Sequence, residues 1–148
     1  MRDSTVLVLI ILIAFLTFSY DSIFSDIRDC LNIQKDKAER CKILLITLGH
    51  HIFSIFGFIG WLFNSKIILS VYILSLVGMV ILWRMNEGRC LITHAVTKIS
   101  GNKEYKKFND IYKITGIKKL VRARYLYYVS LAVCISIALY KLFFIKSI

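Results

Sequence analysis

The sequence contains no proline, and the middle parts of its apolar stretches contain no Asp, Glu, Lys or Arg. Without proline, nothing in the chain marks a broken helix of the transporter kind. Because transport of charged substrates usually requires ionisable groups within the span, their absence argues against an ion pump or such a carrier. The sequence also has no Ser-His-Asp set, Gly-rich phosphate loop, His-Glu-x-x-His motif or paired carboxylates. It therefore offers no familiar catalytic machinery.

The chain is instead rich in apolar residues, which form blocks of membrane-spanning length. Hydrophobic residues make up 57% of the 148 residues, and the mean hydropathy is +0.67. Apolar residues make up about 45–50% of an average soluble domain. We predict an all-α fold with one integral membrane domain over 1–148, a four-transmembrane-helix antiparallel bundle. Its helices are expected at about 5–24, 43–63, 67–84 and 126–145.

Two of these boundaries require comment. Only Asn64, Ser65 and Lys66 separate the second block from the third, so these two helices must form an antiparallel hairpin. A signal peptide is the competing interpretation of the first block. The exit sequence Phe18-Ser19-Tyr20-Asp21 lacks the small-x-small pattern that signal peptidase cleaves, and we therefore expect a retained helix.

The basic residues are distributed unevenly around these blocks. Five Lys and Arg lie in 21–42 and eleven in 84–125, against four elsewhere. The positive-inside rule places the long loops, 25–42 and 85–125, in the cytoplasm and both termini outside. An inverted topology is the alternative. The formal net charge of +11 then reflects contact with anionic headgroups rather than nucleic acid, since no nucleic-acid recognition motif accompanies it.

The long basic loop also contains an amphipathic pattern. Its apolar stripe consists of Tyr105, Phe108, Ile111 and Tyr112, and it resumes after Gly116 at Ile117, Leu120 and Val121. We predict short basic amphipathic helices that lie on the lipid headgroups. Docking onto a partner protein is the alternative.

Small residues recur at helical spacing in two of the predicted spans. The second span has Ser54, Gly57 and Gly60, and the fourth has Ser130, Cys134 and Ala138. Because lipid and apolar side chains are alike in polarity, close approach of helix backbones is what holds a membrane bundle together. These stripes predict a compact bundle.

Two adjacent histidines, His50 and His51, lie about 10 Å inside the second predicted span. Neighbouring positions on a helix point about 100° apart, so only one of them can face the bundle axis squarely. Neutral imidazole is a common ligand for haem iron and other metals. A hydrogen bond to a neighbouring helix is the simpler interpretation.

Cysteine spacing gives a second candidate ligand set. Folding the hairpin about 64–66 places Cys41 opposite Cys90, while Cys90 and His94 share one helical face. Cys41, Cys90 and His94, with Cys30 as a possible fourth ligand, form a candidate zinc site. In an oxidising compartment Cys41 and Cys90 would instead be the expected disulfide.

The third apolar block ends near Trp83, and Asn86, Cys90 and Thr93 follow it. Together with His50 or His51, these positions over about 48–100 resemble a group of small four-helix membrane proteins of unknown function. That group occurs in bacteria and in some large DNA viruses, and the resemblance implies a fold without an activity. Physically, Trp83 suits an interfacial anchor, and Asn86 and Thr93 can satisfy backbone groups at a helix end.

Three functional hypotheses follow. The first is a non-catalytic structural, assembly or scaffold component of a membrane whose basic face contacts anionic lipid or a partner protein. The second is a metal- or haem-binding redox protein that uses His50 or His51, or Cys41, Cys90 and His94. The third is a small lipid-modifying enzyme, whose polar candidates are Asn86, Glu87, Cys90, Thr93 and His94. The sequence favours the first, and it leaves the cofactor unknown.

Overall fold

The computed structural model describes residues 2–24, 26–86, 90–102 and 123–144. These residues contain six α-helices and no strand, which confirms the all-α class for the described part of the chain. The elements are α1 Asp3–Phe24, α2 Asp26–Ile33, α3 Lys37–Ile59, a 3-10 turn Gly60–Leu62, α4 Lys66–Met85, α5 Leu91–Ser100 and α6 Ala123–Phe144.

Three helical segments are long and apolar enough to cross a membrane, namely Asp3–Phe24, Lys37–Leu62 and Lys66–Met85. They coincide with the first three predicted spans. The fourth predicted span falls on α6, whose apolar part among the described residues is Tyr128–Phe144. A bilayer crossing requires about 20 residues, so the fourth span and the four-helix membrane bundle remain predictions.

The α3 helix begins at Lys37, earlier than the boundary near 43 that hydropathy predicts. Asp36 has an extended backbone conformation, and its carboxylate accepts a hydrogen bond from the Ala38 backbone N–H at 2.9 Å. Such an N-cap satisfies a backbone donor that the first helical turn leaves without a partner. The polar turn before the apolar block is therefore helical and lies within the predicted loop segment 25–42.

Both predicted loop segments contain a short helix. Within 25–42 the structure forms α2, and within 85–125 it forms α5. The predicted amphipathic stripe over Tyr105–Tyr112 and its continuation to Val121 lie outside the described residues. The Val96 side chain of α5 is fully buried, so α5 packs against protein along this face.

The buried apolar residues form two separate clusters, which α3 connects. The larger cluster joins α1, α3, α4 and α6 and contains Val6, Ile10, Ala14, Ile55, Phe63, Leu69, Tyr72, Leu76, Leu131, Cys134 and Ala138. The smaller cluster joins α2, the beginning of α3, and α5, and contains Ile27, Cys30, Leu31, Ile43 and Val96. Between the two clusters, α3 carries His50 and His51.

Small residues bring α3 close to α4 near their connection. The Tyr72 hydroxyl donates a hydrogen bond to the Gly57 carbonyl at 2.8 Å. A Cβ atom on Gly60 would come within 2.5 Å of the Tyr72 ring. Gly60 thus acts as a close-packing residue, since a larger side chain there would collide with the ring, whereas a Cβ atom on Gly57 would make an ordinary contact with Leu76 at 3.6 Å.

The connection between α3 and α4 is bound by the start of α1. The Asp3 carboxylate accepts hydrogen bonds from the backbone N–H groups of Asn64, at 2.8 Å, and Ser65, at 3.1 Å. The beginning of α1 therefore lies beside the end of α3. We call this side of the molecule the Asp3 end.

A lysine from α6 binds the same connection. Lys141 Nζ lies 3.1, 3.2 and 2.6 Å from the carbonyl oxygens of Trp61, Leu62 and Phe63, and 3.1 Å from Asn64 Oδ1. Carbonyl groups at the end of a helix lack helical partners, and a lysine ammonium is a suitable donor for them. Lys141 therefore joins α6 to the Asp3 end.

The opposite side of the molecule holds seven of the nine exposed Lys and Arg side chains among the described residues. There α1 ends, α3 begins and α4 ends, with α2 and α5 packed nearby. We call this side the basic end. Its exposed Lys and Arg side chains among the described residues are Arg28, Lys35, Lys37, Arg40, Lys42, Arg84 and Lys98.

Candidate functional site

The two adjacent histidines of α3 face different neighbours. The rings of His50 and His51 are 6.0 Å apart and nearly perpendicular. His51 is buried and faces α1, whereas His50 is half-buried and faces the start of α5. The angle of about 100° between successive helical positions explains this division.

His51 forms a buried pair with Asp21 of α1. Its Nε2 lies 3.3 Å from Asp21 Oδ2, and the Asp21 side chain has no exposed surface. The Phe18 ring packs edge-on against the His51 ring, with centroids 6.2 Å apart. This is the hydrogen bond to a neighbouring helix that sequence reasoning offered as the simpler role for a histidine at this depth.

Sequence reasoning missed Asp21 because it follows the apolar block and suits the end of a span. The available signal was its register on the helix. The buried residues of α1 are Val6, Ile10, Ala14 and Asp21, which lie on one helical face. A carboxylate on the buried face of an apolar helix requires a partner, since an isolated buried charge is very costly.

The second histidine lies beside a cysteine. His50 Nδ1 is 4.0 Å from Cys90 Sγ, and His50 Nε2 is 3.4 Å from Ser54 Oγ. Cys90 is the N-cap residue of α5, with its backbone extended (φ −72°, ψ 130°). The structure thus brings together two residues that the sequence singled out separately, one as a haem ligand and one as a zinc ligand.

His50 and Cys90 both line a cavity between α3 and α4. Its volume is about 260 Å³. Most of its lining is apolar and includes Phe53, Met79, Leu82, Trp83 and Leu131. Its polar lining residues are His50, Ser54, Ser75 and Cys90. The cavity is therefore an apolar space with a thiol and an imidazole at one wall.

The remaining predicted zinc ligands are Cys41 and His94. Cys41 and His94 are exposed, and Cys90 lies beside His50 rather than opposite Cys41. His50 is about 13 Å further along the α3 axis than Cys41. Among the described residues, no group of three or more His, Cys, Asp or Glu side chains is placed to hold a metal ion.

Cys30, the possible fourth ligand, belongs to the smaller apolar cluster. It is fully buried beside Ile43 and Val96, and Asn102 Nδ2 lies 3.6 Å from its sulfur. The Cys30 side chain therefore packs where α2 meets α5 and accepts a hydrogen bond from Asn102.

The remaining residues of the motif after the third apolar block are Trp83, Asn86 and Thr93. Asn86 ends α4, and its backbone N–H donates to the Leu82 carbonyl. Thr93 is buried on α5, and Trp83 is half-buried at the cavity wall. That the Asn86 and Thr93 side chains satisfy backbone groups at a helix end remains a prediction.

No family model, curated protein or solved structure matches the chain. The resemblance to small four-helix membrane proteins accordingly remains a prediction.

Proposed function

We propose that this chain is a non-catalytic structural or assembly component of a membrane whose basic end contacts anionic lipid or a partner protein. The observation that supports the proposal is the position of the exposed basic side chains. Seven of those in the described part of the chain lie at the basic end. Each Lys or Arg near an anionic surface contributes about 1 kcal/mol of attraction.

Acidic residues at the same end offset part of this charge. Arg28 lies 3.7 Å from Asp29, and Lys42 lies 2.6 Å from Glu39. Lys35, Lys37 and Arg40 add three further positive charges around the start of α3, and the Asp36 carboxylate offsets one of them. The first turns of α3 therefore carry the highest density of basic side chains at the basic end. Substitutions there should change the charge of this end most.

The polar groups between the helices also support a structural role. Asp21 and His51 join α1 to α3, and Lys141 joins α6 to the connection between α3 and α4. Asp3 joins α1 to the same connection. Each of these side chains holds one helix against another part of the same chain.

The lipid preference of the purified chain tests the proposal. A variant with Lys35, Lys37, Arg40 and Lys42 changed to Gln is compared with a control that carries Arg2→Gln and Lys66→Gln at the Asp3 end. Both are reconstituted in nanodiscs of mixed anionic and zwitterionic lipid, and the lipids that stay bound after detergent extraction are quantified by mass spectrometry.

We expect the wild-type chain and the control to retain anionic lipid preferentially, and the four-residue variant to lose this preference. Higher salt should weaken it, because surface charges are screened. Equal retention by all three proteins would contradict the lipid part of the proposal. Specific capture of the wild-type chain but not the variant by one protein would then identify the partner instead.

A metal- or haem-binding redox function is the second candidate, and the proximity of His50 to Cys90 is the observation that favours it. An imidazole nitrogen and a sulfur are both good ligands for zinc and other soft metals. The absorbance spectrum and metal content of the detergent-purified chain test this candidate. A Soret band or stoichiometric iron would assign His50 or His51 as a haem ligand, whereas zinc without colour would favour the cysteines. A colourless, metal-free and folded sample would exclude both.

A further inference from the structure

Cys90 differs from the other cysteines in its surroundings. Cys30 and Cys134 are buried in the two apolar clusters, and Cys41 lies on the exposed face of α3. Cys90 is partly accessible, lines the cavity between α3 and α4, and has an imidazole within 4.0 Å. It is the cysteine that combines access, a neighbouring base and an apolar space.

We propose that Cys90 is an S-acylation site, and that the acyl chain it receives occupies the cavity between α3 and α4. The acyl donor belongs to the class of long-chain fatty acyl thioesters. Cys90 lies shortly after the end of α4 at Met85, and cysteines next to membrane helices are the positions where reversible S-acylation occurs. A donor with its polar group in water and its chain in lipid would reach this level.

The arrangement around the sulfur suits this transfer. Cys90 is the N-cap residue of α5, and the polar group beside its sulfur is the His50 imidazole, with Nδ1 at 4.0 Å. His50 Nδ1 can accept the thiol proton if its Nε2 carries a hydrogen, which then points to Ser54 Oγ at 3.4 Å. Cys90 is thus the nucleophile, His50 the base, and Ser54 the group that orients the base.

The reaction is a transthioesterification and needs no oxidant. The Cys90 thiol gives its proton to His50, and the sulfur attacks the acyl carbonyl carbon. A new carbon–sulfur bond forms on Cys90 while the carbon–sulfur bond of the donor breaks. The departing thiolate takes up the proton from His50, so that the products are S-acyl Cys90 and the free thiol of the donor.

The cavity is the reason to expect an acyl chain rather than another modification. Its walls on α3, α4 and α6 are mostly apolar, and its polar lining residues are His50, Ser54, Ser75 and Cys90. An acyl chain that enters it from Cys90 exchanges lipid for apolar side chains of similar polarity. Gly78 lines this space, and a Cβ atom at Gly78 would have no neighbour within 4 Å.

The test incubates the purified full chain in detergent with palmitoyl-coenzyme A and follows its intact mass. We expect one palmitoyl group, removable by neutral hydroxylamine, on the wild-type chain and on Cys41→Ser, the exposed-cysteine control. Cys90→Ser should remain unlabelled, and His50→Gln should react at least ten-fold more slowly, because a positioned base contributes about that much or more.

A second pair of variants tests the cavity without touching the thiol. Gly78→Leu fills the space and should reduce palmitoylation several-fold, whereas Gly49→Leu, at another glycine with open surroundings, should react like the wild-type chain. Labelling of Cys90→Ser, preferential labelling of Cys41, or equal rates for Gly78→Leu and Gly49→Leu would each overturn the proposal. So would a wild-type chain that is folded and thiol-reactive but takes no acyl group, or one whose Cys90 holds stoichiometric zinc.

Discussion

The two aspartates of α1, Asp3 and Asp21, each bind α1 to another part of the chain, but their surroundings differ in solvent exposure. Asp3 accepts backbone hydrogen bonds from Asn64 and Ser65 in a partly exposed connection. Asp21 contacts the His51 side chain, and both side chains are buried. Water can replace the partner of Asp3 but not that of Asp21. The same residue type should therefore contribute little to stability at the Asp3 end and much more between the two apolar clusters.

The largest expected effect is the loss of the carboxylate from the buried pair. Asp21→Leu leaves His51 beside an apolar side chain and should destabilise the chain by about 3 kcal/mol. Asp21→Asn keeps a hydrogen-bonding group of the same shape and should cost less. Equilibrium unfolding in mixed micelles of increasing SDS content, followed by circular dichroism, measures both.

The double variant Asp21→Leu/His51→Leu provides the control for this pair. Because it removes both polar partners, it should recover most of the stability that Asp21→Leu loses. If the double variant is no more stable than Asp21→Leu, the two side chains do not act as a unit. The comparison between Asp21 and Asp3 would then lose its basis.

The next effect tests whether the Asp3 end is tightly packed despite its weaker polar contacts. Gly60→Ala places a methyl group 2.5 Å from the Tyr72 ring and should cost about 2 kcal/mol through overpacking. Gly49→Ala has no neighbour within 4 Å and should be neutral or slightly stabilising, since alanine favours helix. The same unfolding measurement compares them. Equal stabilities would mean that α3 and α4 separate easily near their connection.

These contrasts also show which features the sequence could predict. The predicted third span, 67–84, matches α4 closely because charged residues, Lys66 and Arg84, lie at both of its boundaries. The start of α3 was predicted too late because a hydropathy pattern does not detect a polar helical turn that Asp36 caps. Local composition predicts a boundary well only where the change in polarity and the end of the helix coincide.

The candidate site was less predictable, because its contacts join distant parts of the chain. His50 and Cys90 were each identified as unusual, but the hairpin register placed Cys41 opposite Cys90. The structure places His50 there, since α5 packs alongside α3. Asp21 was not assigned to His51 because nothing local specifies which helix faces which. Residue type indicated the candidates, and only tertiary packing determined their partners.

The smallest expected effect concerns Lys141, which binds the same connection as Asp3. Lys141→Met removes an ammonium group that lies near three carbonyl oxygens, yet the site is partly exposed and water can hydrate those carbonyls. We expect a loss of about 1 kcal/mol, the usual size for a solvent-accessible hydrogen-bonding group. Lys66→Met, at an exposed lysine of the same end, is the control and should change stability less. A loss from Lys141→Met as large as that from Asp21→Leu would show that this connection is as inaccessible to water as the buried pair. Solvent access would then no longer explain the difference between the two ends of α1.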